Sequence, residues 1–143
     1  MSNDRNTMKD EVGQPGLVEM RHWLGNTVRS SDGARVGVLT AILYDHKTLE
    51  PVWLEVGTGL LGIASLYVPA RGARLSTPDS VQVTFTQREI EHQPEAHAGV
   101  GFSSATEQME LSAYFGVLYD PTQDLRALRE GDSPPGSVSA SDA

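Results

Sequence analysis

The sequence predicts a mainly β protein, a small antiparallel barrel that carries one C-terminal capping helix. Five short apolar runs, separated by turn residues, occupy residues 23–85. Several of these runs alternate apolar and polar residues with the period of two that is typical of a half-buried strand. A later segment changes to the helical period. Since 38% of the 143 residues are hydrophobic, the chain supports one domain of ordinary size.

The first two strands are predicted as a hairpin. Residues 23–29 and 35–44 flank the sequence Ser30-Ser31-Asp32-Gly33. An Asp-Gly pair tolerates the positive φ angles that tight hairpin turns require. We therefore expect the two runs to be antiparallel neighbours.

The third strand follows from strict alternation. Val52, Leu54 and Val56 alternate with Trp53 and Glu55, so the two sets face opposite sides of the sheet. This pattern places Glu55 within reach of water and Trp53 on the outer face, where a large aromatic side chain commonly anchors an interface. A second interpretation is that the helix or a neighbouring loop covers Trp53, and the pattern favours neither.

The remaining runs complete the barrel. Residues 63–68 form a fourth strand that ends at Pro69, since proline has no N–H to donate to a ladder. Residues 81–85 alternate again and form a fifth strand.

The periodicity changes to helical after residue 85. Thr86 and Glu89 have the spacing of a capping box, and Pro94 limits the helical turn that they begin. A longer helix is predicted over residues 104–115 with Gly116 as its C-terminal cap. Its apolar face contains four residues at helical spacing: Leu111, Tyr114, Phe115 and Leu118.

Composition divides the chain into three parts. Residues 1–20 are a polar lead, residues 21–120 form the domain, and residues 121–143 end in Ser, Asp and Pro-rich sequence. Such composition buries little apolar surface, so we expect both ends to be flexible.

Several short motifs follow one another in a specific order along residues 24–116. They are the Asp32-Gly33 turn with Val36-Gly37-Val38, Tyr44-Asp45, Glu50-Pro51-Val52-Trp53-Leu54, Val68-Pro69, residues 81–85, Gln87-Arg88-Glu89-Ile90 with Pro94, and residues 107–116. Together they resemble the PRC-barrel family, which includes the photosynthetic reaction-centre H subunit and the C-terminal half of a 16S rRNA maturation factor. The resemblance implies a PRC-type barrel and a binding or scaffolding role, because the family has no shared catalytic residues.

Charge and hydropathy exclude several classes of function. The formal net charge of −8 repels a phosphate backbone, so no nucleic acid partner is expected. The longest apolar stretch, residues 38–44, is far shorter than the roughly 20 residues that span a bilayer, so no membrane insertion is expected. Residues 1–12 lack the apolar region of a signal peptide, and the chain has no cysteine; we expect a cytoplasmic protein.

No residue pattern predicts a catalytic, cofactor or metal site. Residues 57–62 match G-x-G-x-x-G, but another strand rather than a helix follows them, whereas a dinucleotide site requires a helix there. His92 and His97 are separated by five positions and by Pro94, so a solvated loop is favoured over a metal site. We therefore expect a protein that is not an enzyme and has no cofactor.

Three hypotheses remain from the sequence. The first is an adaptor that self-associates and binds a protein partner of unknown identity, with Trp53 and Glu55 as candidate interaction residues. The second is a small-molecule or enzymatic site at the barrel mouth near residues 57–62. The third is a ribosome-assembly factor, which the acidic charge disfavours.

A homodimer is expected because the third and fourth strands contain only one charge, Glu55, to protect an exposed sheet edge. The alternative is that the segment after Gly116 covers that edge within one chain.

Overall fold

Seven strands form one sheet in the computed structural model, which describes residues 15–59, 64–94 and 105–134. This arrangement confirms a mainly β fold. The strands are β1 Thr27–Arg29, β2 Arg35–Asp45, β3 Pro51–Thr58, β4 Ala64–Pro69, β5 Arg74–Thr77, β6 Ser80–Gln82 and β7 Leu125–Arg129. Their spatial order is β4-β3-β2-β1-β6-β5, and β7 pairs with β2 outside this path.

The sheet is open and is not wholly antiparallel. Strands β1 and β6 pair in parallel, while the other pairs are antiparallel. Within the described residues β4 and β5 end the path without pairing with each other. The closed antiparallel barrel is therefore not confirmed.

The free edge of β4 has a local explanation. The side-chain amide of Gln93 accepts a hydrogen bond from the backbone N–H of Tyr67 at 2.9 Å and donates one to its carbonyl, also at 2.9 Å. Pro69 closes the same strand without an N–H. Because Gln93 already forms hydrogen bonds with the backbone N–H and carbonyl of Tyr67, a further strand would form no new hydrogen bonds with these two groups.

The hairpin predicted around Gly33 is confirmed. β1 and β2 pair antiparallel, and Gly33 has a φ of 87°. The backbone N–H of Ser30 donates to the carbonyl of Ala34 at 2.9 Å. The first strand begins later than predicted, because residues Arg21–Trp23 form a turn of 3-10 helix.

Three α-helices accompany the sheet within the described residues: α1 Leu17–Met20, α2 Gln87–Glu91 and α3 Ala105–Phe115. The capping box at the start of α2 is confirmed, since Thr86 and Glu89 bond reciprocally. Gly116 has a φ of 73° and ends α3, while the N–H of Val117 donates back to the carbonyl of Ser112 at 2.9 Å. This is the hydrogen-bond pattern of a glycine C-terminal cap.

Apolar side chains form two clusters. The larger cluster contains residues of α1, the 3-10 turn, α2 and most strands, including Met20, Leu39, Leu54 and Ile90. The second cluster lies between α3 and the opposite side of β3, and it contains Leu43, Trp53, Tyr67, Leu111 and Phe115. Strand β3 is thus buried on both sides.

The ordered part of the chain extends beyond both predicted boundaries. Leu17 and Met20 are buried although they lie in the predicted flexible lead. β7 lies within residues 121–143, the predicted flexible tail, and pairs with β2 from Ala41 to Asp45. Leu128 supplies the buried anchor of this strand. A helix, Leu17–Met20, and a strand, Leu125–Arg129, thus lie within the segments that were predicted to be flexible.

The apolar face of α3 differs in part from the prediction. Leu111 and Phe115 are buried, but Tyr114 is 39% exposed and its hydroxyl donates to the carbonyl of Glu89 at 2.6 Å. Leu118 lies beyond the cap and is not packed. No helix in the described ranges has the length and apolar character needed to cross a membrane.

Candidate functional site

Trp53 is covered within the chain. Its side chain is 2% exposed and meets Phe115 of α3 edge to face, with ring centroids 6.1 Å apart. The interpretation that the helix covers Trp53 is therefore correct. The alternative of an exposed anchor does not hold, because α3 packs on that face of β3.

Glu55 is also buried, with a side chain only 4% exposed, so the prediction that it reaches water is wrong. Its carboxylate accepts hydrogen bonds from three other strands. Thr40 Oγ1 on β2 donates at 2.8 Å, the Tyr67 hydroxyl on β4 at 3.2 Å, and Arg129 Nη1 on β7 at 2.9 Å. The carboxylate thus connects four strands at the second face of the sheet.

Two opposing effects determine the pKa of Glu55. Burial raises the pKa, because a charged carboxylate loses its hydration. Hydrogen bonds from Arg129, Thr40 and Tyr67, together with the positive charge of Arg129, outweigh burial and hold the pKa below its usual value. The same contact raises the pKa of Arg129. A carboxylate with a lowered pKa and three donors is a poor proton carrier near neutral pH.

Trp53 also lines a groove of about 900 Å³. One wall is the β2–β3 connection with the first residues of β3, and the other is one face of α3 with the segment that follows it. Trp53 and Ser112 are buried residues of its lining, and the exposed Leu118 is at its rim. The groove therefore lies over the junction between the sheet and α3.

Polar groups of the groove lack partners within the described parts of the chain. Ser112 is only 4% exposed, and no described residue hydrogen-bonds with its hydroxyl. The side chains of Gln108, Gln123, Arg71 and Glu50 also line the groove without such a bond. Because no buried side-chain oxygen or nitrogen of the described residues lacks a partner, the Ser112 hydroxyl is accessible from the groove, where it can bond with water or with an occupant.

The wall opposite α3 contains a strained residue. Leu49 has a φ of 64°, and it is the only non-glycine residue of the described chain in the left-handed region. This conformation costs a branched side chain about 1 kcal/mol or more. Its N–H donates to the carbonyl of Asp45 at 2.6 Å, which holds the β2–β3 connection against the groove.

The structure brings no other candidate residues together. β4 follows the G-x-G-x-x-G sequence as a strand, as predicted, although residues 60–62 of that motif lie outside the described residues. His22, His46 and His92 are exposed and far apart in sequence, and His97 lies outside the described residues. No group of three or more acidic or histidine side chains suited to a metal occurs in the described ranges.

Sequence reasoning missed the groove. Gln108, Ser112 and Gly116 are four residues apart, so they share one face of α3 and its cap, adjacent to the buried Leu111 and Phe115. That spacing could have indicated the wall of the groove that α3 forms. The opposite wall offered none, because its position depends on how β3 packs against α3.

Comparison with known proteins adds no family assignment to this geometry. No protein-family model matches the chain, and a search of the curated proteins finds no similar sequence.

Proposed function

We propose that this protein is a non-enzymatic interaction module that binds a protein partner through the groove beside Trp53. The observation that carries the proposal is Leu118, which is 97% exposed at the rim of the groove. It is the most exposed of the large hydrophobic side chains in the described ranges. Burying one leucine side chain contributes about 1.5–3 kcal/mol, so this position favours a partner that covers it.

A PRC-barrel-like adaptor role is part of the proposal. It rests on the resemblance of residues 24–116 to that family and on the mainly β fold with a helix packed against the sheet. The non-enzymatic character is supported by Glu55, whose carboxylate is committed to three donors from neighbouring strands.

The test compares two aspartate variants of exposed leucines. Leu118→Asp places a charge at the groove rim, and Leu75→Asp places one on β5, where Leu75 is 43% exposed and outside the groove. We expect the wild-type chain and Leu75→Asp to retain the same partner from a lysate of the native host. Leu118→Asp is expected to lose it, because a desolvated charge opposes docking. Mass spectrometry of the retained proteins measures the effect.

The result that contradicts the proposal is equally specific. If Leu118→Asp retains every protein that the wild type retains, with unchanged thermal stability, the groove is not the docking surface.

We propose separately that the protein self-associates as a homodimer. Gln93 satisfies edge groups of β4, so the edge that favours dimerisation is β5, which ends the path opposite β4. An edge strand offers unpaired backbone groups to a second copy, so the proposed contact is made by the main chain of β5 and does not depend on the Leu75 side chain. We expect light scattering at micromolar concentration to give twice the chain mass. A mass near 15.4 kDa would exclude the dimer.

A small-molecule site is the second candidate function. The groove volume of about 900 Å³ lies within the range of known ligand pockets. The groove is therefore the place that we propose for such a ligand, beside the hypothesis of a site near residues 57–62. A co-purifying ligand in native mass spectrometry, absent from Ser112→Ala, would favour this function over protein docking.

A further inference from the structure

We infer that the groove binds an extended peptide segment of a partner, and that it reads the main chain of that segment more than its side chains. The inference rests on the proposed function and names what the groove holds. Three observations carry it: free amide side chains at the groove, a serine hydroxyl that is accessible from the groove, and balanced charge.

The chain itself contains the type of contact required. Gln93 pairs with the backbone of Tyr67 through both atoms of its amide, accepting from the N–H and donating to the carbonyl at 2.9 Å each. A primary amide has this ability because it carries an acceptor oxygen and a donor nitrogen side by side. Glutamine thus serves here as a substitute for a neighbouring strand.

Two further glutamines present the same group to the groove. Gln108 on α3 and Gln123, in the segment between α3 and β7, both line it and are partly buried. Within the described residues neither side chain has a hydrogen-bond partner. Each is therefore available to pair with a peptide unit as Gln93 does.

The floor provides a third polar contact. The Ser112 hydroxyl lies in the groove on a residue that is 4% exposed, and it has no partner among the described residues. Since no buried side-chain polar atom of the described residues lacks a partner, this hydroxyl is accessible from the groove and can donate or accept there. A carbonyl or N–H of a bound segment satisfies it.

Charge favours a segment without strong net charge. Arg71 and Glu50 both line the groove, and neither side chain has an ion-pair partner within the described chain. With one cation and one anion, the described lining has no net charge, whereas a site for an anionic ligand typically contains several cationic side chains. Leu118 adds an apolar contact at the rim.

The experiment selects ligands from a displayed library of random linear peptides of about eight residues. The immobilised bait is the full chain, and the selection includes a competition step against Leu118→Asp. Dissociation constants of the enriched peptides are then measured by fluorescence polarisation. The variants are Gln108→Ala, Gln123→Ala and Ser112→Ala, and the control is Gln87→Ala, whose amide donates to Glu91 outside the groove.

We expect each groove variant to weaken binding about fivefold, the effect of one lost neutral hydrogen bond. The control is expected to leave binding unchanged. N-methylation of a single peptide bond in the ligand removes a main-chain donor and is expected to weaken binding about tenfold at one or two positions. Alanine scanning of the peptide is expected to show smaller effects at most positions.

Several outcomes overturn the inference. These are a library without enriched peptides, enriched peptides that bind the glutamine variants as tightly as the wild type, and peptides that tolerate N-methylation throughout. If a native partner still depends on Leu118 but not on Gln108 or Gln123, the docking function stands and the main-chain mode fails. If Leu118→Asp retains that partner, the docking function itself fails. Melting temperatures of all variants accompany the binding data, since alanine at Gln108 preserves helix propensity.

Discussion

Replacement of Trp53 by alanine is expected to lower the free energy of unfolding by about 4 kcal/mol. Trp53 is 2% exposed and lies between β3 and α3, where it contacts Phe115. Phe115 also packs edge to face with Phe85 at 4.9 Å. Truncation therefore leaves a cavity at the junction that holds α3 on the sheet, and it removes part of the groove floor. Urea unfolding followed by circular dichroism measures the change.

Leu75→Ala is the matched control, since Leu75 is 43% exposed and belongs to neither core cluster. Its expected effect is below about 1 kcal/mol, because a partly exposed leucine buries little additional area. If Trp53→Ala also lowered the free energy of unfolding by less than about 1 kcal/mol, this result would show that α3 does not pack over Trp53.

Replacement of Arg129 by methionine is expected to destabilise the protein by about 2 kcal/mol at neutral pH. Glu55 has a side chain only 4% exposed and would keep its charge without its cation. Losing one partner of a buried pair costs about 3–5 kcal/mol, and we take a lower figure because Arg129 itself is 46% exposed. The loss also weakens the attachment of β7 to β3.

The effect has a defined pH dependence. In the wild type the pKa of Glu55 is lowered, so its contribution to stability is present above the ordinary value of 4.5 and is lost as the pH falls through the lowered pKa. In Arg129→Met, burial becomes the dominant influence and raises the pKa of Glu55. Its charged form then destabilises the fold at neutral pH, and protonation removes that penalty. We expect the difference in the free energy of unfolding between the wild type and Arg129→Met to become smaller as the pH falls from about 7 to about 4.

A second substitution separates the buried charge from simple loss of packing. In the double variant Glu55→Gln, Arg129→Met, the amide oxygen replaces the carboxylate oxygen that accepts from Thr40, and the amide nitrogen faces the Tyr67 hydroxyl, which can accept from it. No charge is then buried. We expect it to recover part of the lost stability at pH 7 and to show a flatter pH profile. A double variant as unstable as Arg129→Met, with the same pH profile, would contradict a role for the Glu55 charge.

Local signals account for the successful predictions. The hairpin at Gly33, the capping box of Thr86 and Glu89 and the cap at Gly116 depend on residues within a few positions of one another. β3 and β4 were recognised from apolar runs. β7 was missed because Leu125 and Leu128 are surrounded by charged residues and by a polar tail, and its stability comes from β2.

The candidate site was less predictable than the fold. The sequence identified Trp53 and Glu55 as sharing one face of β3, but it predicted that Glu55 reaches water and left open whether Trp53 is exposed or covered. Their burial depends on α3 for Trp53 and on Thr40, Tyr67 and Arg129 for Glu55. Arg129 lies 74 positions away along the chain, so no local pattern connects the two.

By itself the sequence determined which residues share a face, where turns and helix caps occur, and that the chain carries a net charge of −8. These properties follow from side-chain alternation and from backbone preferences within a few residues. Only the tertiary structure decided that α3 covers the second face of the sheet, that β7 pairs with β2, that the sheet stays open beside Gln93, and that a groove forms next to Trp53. Periodicity specifies the faces of a strand, whereas the free energy of burial depends on what packs against each face.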